Sequence, residues 1–123
     1  MRIITTDSAP KACGAYSQAV MSGNMLYTAG QIGLDPNTNT LVVGIENQAH
    51  QVIKNIEAIL ISEGLKLKNV IKTTVFLSNI EDWGVVNEVY AEYFSHKPAR
   101  STVAVTSLPA GALLEIEVIA EIR

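Results

Sequence analysis

Two stretches of the 123-residue sequence repeat apolar residues every three or four positions, the spacing of one face of an α-helix. The first stretch predicts a long helix that ends at Gly64, because glycine accepts the left-handed backbone of a helix cap. Its apolar positions are Ile45, Ala49, Val52, Ile53, Ile56, Ile59 and Leu60. The second stretch predicts a helix that begins near Asn79 or Asp82 and ends before Lys97-Pro98. Its positions are Trp83, Val86, Val89, Tyr90, Tyr93 and Phe94.

Strand patterns surround these two helices. We expect strands at residues 3–5, 19–21, 25–29, 70–77, 101–106 and 114–122. The turn-forming run Ser22-Gly23-Asn24 predicts a hairpin between the second and third strands. Because strands precede, separate and follow the helices, the sequence predicts one α/β (α+β) domain over residues 1–123. Its single mixed sheet carries two helices packed on one face.

The second face of this sheet has a mixed composition. Along the last strand, Glu115, Glu117, Ile119 and Glu121 alternate with the apolar residues that would meet the helices. Such a face suits a wet interface between subunits or a site between them. A plain solvated face is an equally compatible interpretation.

Composition and charge make several functions improbable. The formal net charge is −3 and no run of Lys or Arg concentrates positive potential, so strong nucleic-acid binding is not expected. Cys13 is the single cysteine, which excludes an intrachain disulfide and a cysteine-based metal cluster within one chain. His50 and His96 lack metal-ligand spacing. No apolar run is long enough to span a membrane, and we expect a cytoplasmic protein.

Two late residues remain as candidates for chemistry. Arg100 follows Pro98-Ala99 where a helix gives way to a strand, and its guanidinium suits a carboxylate bound through two hydrogen bonds. Glu115 lies on the less apolar side of the last strand, where a partly desolvated carboxylate could handle protons. From the residues alone, a structural ion pair between the two, or simple solvation, is the more common explanation.

Several segments along nearly the whole chain resemble the RidA family, also known as YjgF, of reactive enamine/imine intermediate deaminases. They occur in the same order as in that family, and the late segments are highly specific. The principal ones are Gly14-Ala15-Tyr16-Ser17-Gln18-Ala19, Tyr27-Thr28-Ala29-Gly30-Gln31-Ile32, Val86-Asn87-Glu88-Val89-Tyr90, Pro98-Ala99-Arg100-Ser101-Thr102-Val103 and Leu114-Glu115-Ile116-Glu117-Val118.

This resemblance implies a chorismate-mutase-like homotrimer with a central barrel and sites between subunits. It implies a cofactor-free and metal-free hydrolase, a 2-iminobutanoate/2-iminopropanoate deaminase, that converts 2-aminoacrylate-type acids to 2-keto acids and ammonia. In that family pattern Arg100 clamps the substrate carboxylate, while Tyr16, Gly30 and Asn87 line the pocket and Tyr16 is also a catalytic residue. Glu115 orients the attacking water.

Thr102 stands where many relatives have cysteine, and the resemblance assigns it a catalytic and substrate-binding role through its backbone. We also expect the sheet face that bears Thr102, Thr106, Glu115 and Glu117 to be buried between subunits, with Ala104 on that face.

Two other functions remain open. One is a non-catalytic trimer that senses keto or amino acids through Arg100. The other is a ribonuclease or translation inhibitor, a role ascribed to some family members, which the acidic balance of the chain disfavours.

Overall fold

A six-stranded mixed sheet with two helices against one face dominates the computed structural model, which describes residues 1–123. The strands are β1 (Arg2–Ile4), β2 (Ala19–Ser22), β3 (Met25–Thr28), β4 (Leu34–Asp35), β5 (Thr40–Leu41), β6 (Val70–Leu77), β7 (Ala99–Ala104) and β8 (Leu114–Glu121). The helices are α1 (Ile45–Ser62) and α2 (Trp83–Tyr93). The large sheet has the order β1-β2-β3-β8-β6-β7, and β4 pairs with β5 separately. Only β6 and β7 run parallel, so the expected mixed sheet is confirmed.

Local signals in the sequence explain where these elements begin and end. Gly23, at φ +59°, turns the β2–β3 hairpin, and Gly64, at φ +73°, follows the end of α1. The side chain of Asn79 accepts a hydrogen bond of 3.0 Å from the backbone N–H of Glu81. That cap starts a 3-10 turn, Ile80–Asp82, which leads into α2.

The core lies between the helices and one face of the sheet. Alternate residues of β8 are at most 2 % exposed, namely Leu114, Ile116, Val118 and Ala120. Ile56, Ile59 and Leu60 of α1 pack in the same cluster and are fully buried. Burying a branched aliphatic side chain contributes about 1.5–3 kcal/mol, so this layer supplies much of the driving force for folding. Neither helix combines the length and apolar character needed to cross a bilayer.

The register of the sheet decides which face each late side chain occupies. Paired residues on neighbouring strands project to the same face. Val75 pairs with both Ile116 and Thr102, whereas Phe76 pairs with both Glu115 and Val103. Thr102 therefore lies on the helix side and Glu115 on the open side.

The expectation that Thr102 and Glu115 share a face is thus wrong. Ala104 pairs with Leu77, a core residue, so it also lies on the helix side. Ala99, Ser101 and Val103 are the β7 residues on the open face. Alternation along one strand fixes two faces but not which of them meets the helices, because a shift of one residue in register exchanges them.

Candidate active site in two halves

The first half of the candidate site is a cavity of about 560 Å³ beside the end of β3 and the start of β8. Three of the residues singled out by the sequence, Tyr16, Gly30 and Glu115, line it together. The rest of its wall is formed by Pro10, Lys11, Cys13, Gln18, Ala29, Gln31, Ile32, Leu34 and Pro109. The structure therefore gathers these three predicted residues around one space large enough for a small molecule.

Gly30 packs directly against the Glu115 carboxyl group. A Cβ atom at position 30 would lie 2.7 Å from Cδ and 2.9 Å from Cγ of Glu115, closer than side-chain contacts allow. Two backbone hydrogen bonds between Gln31 and Ile116, of 2.8 and 3.0 Å, hold the two segments at this separation. Burial, and then the negative charge of Glu117, raise the pKa of the Glu115 carboxyl group.

Gln18 fixes the loop that forms the outer wall of this cavity. Its amide nitrogen donates hydrogen bonds to the carbonyls of Thr6, Ala9 and Pro10, at 3.0, 3.3 and 2.7 Å. Its amide oxygen accepts one of 2.8 Å from the N–H of Thr6. Farther along the loop, the N–H of Cys13 donates to the hydroxyl oxygen of Tyr16 at 3.1 Å. The loop is therefore held to the sheet by a nearly buried side chain.

The second half of the candidate site surrounds Arg100, between β7 and α2. Nη1 of Arg100 donates a 3.0 Å hydrogen bond to Oδ1 of Asn87. The guanidinium carbon lies 4.3 Å from the ring centre of Trp83 and 4.7 Å from that of Tyr90. Both distances are within the range of cation–π attraction. Arg100 and Asn87, which the sequence analysis assigned to one pocket, border a cavity of about 340 Å³.

Within one chain these two halves do not meet. Arg100 pairs with Thr73 in the sheet and projects to the helix side, whereas Glu115 projects to the open side. The single salt bridge of the chain joins Arg2 to Glu63, so Arg100 and Glu115 do not form a structural ion pair. That alternative is contradicted for the isolated chain.

Thr102 borders neither of these two cavities. Its hydroxyl oxygen is shielded from solvent and has no hydrogen-bond partner within the chain. The structure therefore does not bring Thr102 together with Glu115, although Thr102 and Arg100 share the helix side of β7.

Four residues near the two cavities were not singled out for the site by the sequence analysis. Trp83 and Tyr90 were expected only as members of the α2 core stripe, and they also contact Arg100. Trp83, Asn87 and Tyr90 are four and three positions apart and so share one helix face. That spacing could have predicted that the two aromatic residues lie beside Asn87 in the site. Lys11 and the exposed Cys13 line the first cavity. Both lie in an irregular loop, where no periodicity predicts which way a side chain points.

The chemistry available at these halves is that of carboxylate binding and proton transfer. Arg100 offers a fixed cation, and Glu115 offers a partly desolvated carboxyl group beside a cavity. No three histidine, cysteine, aspartate or glutamate side chains come close enough together to hold a metal ion.

Known proteins resemble this chain over its whole length. The family described as Endoribonuclease L-PSP matches residues 6–122. A RutC family protein of Pyrococcus horikoshii is 52% identical over 120 residues, covering 96% of this chain and 95% of that protein. The 2-iminobutanoate/2-iminopropanoate deaminase of Rattus norvegicus is 47% identical over 121 residues, covering 97% and 88%.

Two solved structures from E. coli have nearly the same fold. TdcF with bound serine is 38% identical and the YjgF gene product is 40% identical. Each superimposes with a TM-score of 0.96, over 100% of both chains. These matches confirm the resemblance inferred from the sequence segments, and the chain belongs to the Endoribonuclease L-PSP family, which includes the RidA, YjgF and RutC proteins.

Proposed function

We propose that this protein hydrolyses enamine and imine acids of the 2-aminoacrylate type to 2-keto acids and ammonia. The observation that carries this proposal is a guanidinium group, that of Arg100, held in place without a carboxylate partner in its own chain. Such a cation is suited to bind the carboxylate that every substrate of this class carries. The deaminase name of the rat relative, 47% identical, supports the same reaction.

The reaction makes modest demands on the protein. An enamine acid tautomerises to the imine, whose carbon is open to attack by water. Addition of water to that carbon gives a carbinolamine, and loss of ammonia from it leaves the keto acid. Arg100 fixes the carboxylate and so orients the carbon, while the Glu115 carboxylate accepts a proton from the attacking water. Tyr16, Gly30 and Asn87 shape the space around the substrate, and the backbone of Thr102 contributes polar groups beside Arg100.

The proposed reaction requires the two halves of the site to come from different chains. Arg100 and Glu115 lie on opposite sides of one sheet, so one chain alone cannot present both to a small substrate. The open face also carries exposed apolar side chains, with Ile3 60 %, Tyr27 40 % and Val103 44 % exposed. We therefore propose a homotrimer in which the open faces form a central barrel and each site lies between neighbours.

The experiment that tests the proposed activity is a coupled assay. A dehydratase releases 2-aminoacrylate, and the rate at which pyruvate forms is followed with and without the protein. We expect the wild type to accelerate pyruvate formation. Arg100→Ala should lose about 100-fold to 1,000-fold of the activity, because an oriented charge-assisted clamp is removed. Arg100→Lys should also be strongly impaired, since a point charge cannot replace the planar fork.

Arg123→Ala is the matched control, because Arg123 is an exposed arginine at the end of the chain. It should act as the wild type does. Binding of pyruvate without any acceleration would instead favour the ligand-sensing trimer, which needs Arg100 but not Glu115. Cell fractionation would separately test the expected cytoplasmic location.

A further inference from the structure

Three side chains on one face of helix α2 contact Arg100. Trp83, Asn87 and Tyr90 are separated by four and then three positions, so they lie on one face of the helix. Trp83 and Tyr90 are therefore two turns apart along that face. Asn87 lies between them.

The guanidinium of Arg100 contacts both rings of this face. Its carbon is 4.3 Å from the Trp83 ring centre and 4.7 Å from the Tyr90 ring centre. Asn87 accepts a hydrogen bond of 3.0 Å from Nη1. Two aromatic rings and one hydrogen-bond acceptor of α2 therefore restrict the guanidinium.

Tyr90 is itself held firmly in the core. Its hydroxyl shares a hydrogen bond of 2.7 Å with the hydroxyl of the fully buried Thr73 on β6, and only 5 % of Tyr90 is exposed. Trp83 packs against the same core cluster and is partly buried. The rings are therefore anchored independently of Arg100 and can hold it in a fixed orientation.

We propose that Trp83 and Tyr90 are positioning residues that hold the Arg100 guanidinium in a slot, so that the edge not used by Asn87 is directed at the substrate carboxylate. This inference rests on the carboxylate clamp proposed above. A flexible arginine would lose conformational freedom each time a carboxylate bound, whereas an arginine already held between two rings has less to lose.

The direct test measures the dissociation constant of pyruvate by calorimetry. Trp83→Leu removes the ring and should weaken binding about tenfold, the effect of a well-formed cation–π contact. Trp83→Phe keeps a ring and should stay within about threefold of the wild type. Val85→Leu, at an exposed position of α2, is the control and should bind normally. Thermal unfolding and light scattering establish that each variant is folded and assembled.

The outcomes separate the positioning role from the clamp itself. Wild-type affinity in a folded Trp83→Leu variant would overturn the inference while leaving the clamp intact. Equal loss in Trp83→Phe and Trp83→Leu would also overturn it, because a ring would then have no special role. Normal pyruvate binding by Arg100→Ala would contradict the proposed function instead.

Tryptophan fluorescence provides a second test, which leaves Trp83 itself unchanged. Trp83 is the only tryptophan, so its fluorescence reports on the slot alone. We expect saturable binding of serine to change the emission, and Arg100→Ala to abolish the change. Constant emission while calorimetry detects serine binding to the wild type would contradict the slot.

Discussion

Gly30 leaves room beside the Glu115 carboxyl group that no larger residue would leave. Gly30→Ala would place a methyl group 2.7 Å from Cδ of Glu115, and the carboxyl group would have to move. We expect a loss of about a hundredfold in deaminase rate, because a displacement near 1 Å in a catalytic group has that effect. The assay is the coupled formation of pyruvate, with thermal unfolding measured alongside.

Gly84→Ala is the matched control for this change. Gly84 lies in α2 with nothing within 4 Å of an added Cβ, so its replacement should leave the rate unchanged. It should also raise the free energy of unfolding by about 0.5–1 kcal/mol through helix propensity. A normal rate in Gly30→Ala would contradict the inference that only glycine at this position leaves room for the Glu115 carboxyl group.

Glu115 gives the activity a predicted dependence on pH. Burial, and then the charge of Glu117, raise the pKa of its carboxyl group, and the proposed role requires the deprotonated form. The kcat/KM should therefore fall as the pH falls through this raised pKa. Glu117→Gln removes the repulsion, lowers the pKa of Glu115 and should move the acid limb to lower pH. Superimposable pH profiles for the two proteins would contradict the coupling.

The raised pKa of Glu115 affects stability in the opposite direction from activity: a lower pH disfavours activity but favours the folded state. Folding penalises the charged form of Glu115, so its favourable contribution to the free energy of unfolding is present below the usual carboxyl pKa. That contribution is lost as the pH rises through the raised pKa. Denaturant unfolding of Glu115→Gln beside the wild type isolates it, because glutamine does not titrate.

The loop of residues 6–13 depends on one side chain directly before β2. Gln18 is 2 % exposed and satisfies three carbonyls and one N–H of that loop. Gln18→Leu leaves those backbone groups without partners and should lower the free energy of unfolding by about 2–4 kcal/mol. Denaturant titration measures this loss, and faster hydrogen exchange at the Thr6 amide would locate it.

Asn47→Leu serves as the comparison for Gln18→Leu. The exposed Asn47 of α1 donates a 3.0 Å hydrogen bond to the carbonyl of Val43, just before the helix, where water can replace it. Its replacement should change the free energy of unfolding by at most about 0.5 kcal/mol. Equal losses in the two variants would show that Gln18 has no special hold on the loop.

The helices and most strands could be predicted because amphipathic spacing is a local property of the chain. Residues 70–77 were bounded correctly, and the predicted strands at 101–106 and 114–122 correspond to β7 and β8 with shifted ends. The face assigned to Thr102 was wrong, since it depends on pairing with β6, a partner distant in sequence. Lys11 and Cys13 were missed as cavity residues, because their directions are set by hydrogen bonds in an irregular loop.

The open face of the sheet is the surface through which we propose that the chains associate. Val103 lies on that face and is 44 % exposed in the single chain. Val103→Arg would bury a charge in the proposed interface, so we expect it to dissociate the oligomer and abolish activity together. Light scattering and the coupled assay measure both effects.

Val85→Arg is the matched control for the interface. Val85 is 40 % exposed but lies on α2, on the helix side of the sheet, so assembly and activity should persist. A fully active monomer of the wild type would refute the shared site and with it the proposed role of Glu115.

Arg100 and Glu115 lie on opposite sides of one sheet. In the proposed shared site they come from different chains, so a variant that lacks one of them should complement a variant that lacks the other. Arg100→Ala chains still carry an intact glutamate half, and Glu115→Gln chains still carry an intact arginine half. When the two inactive proteins are unfolded together and refolded as a mixture, random assembly should pair intact halves at about a quarter of the interfaces. The refolded mixture should then regain activity, whereas each variant refolded alone should stay inactive.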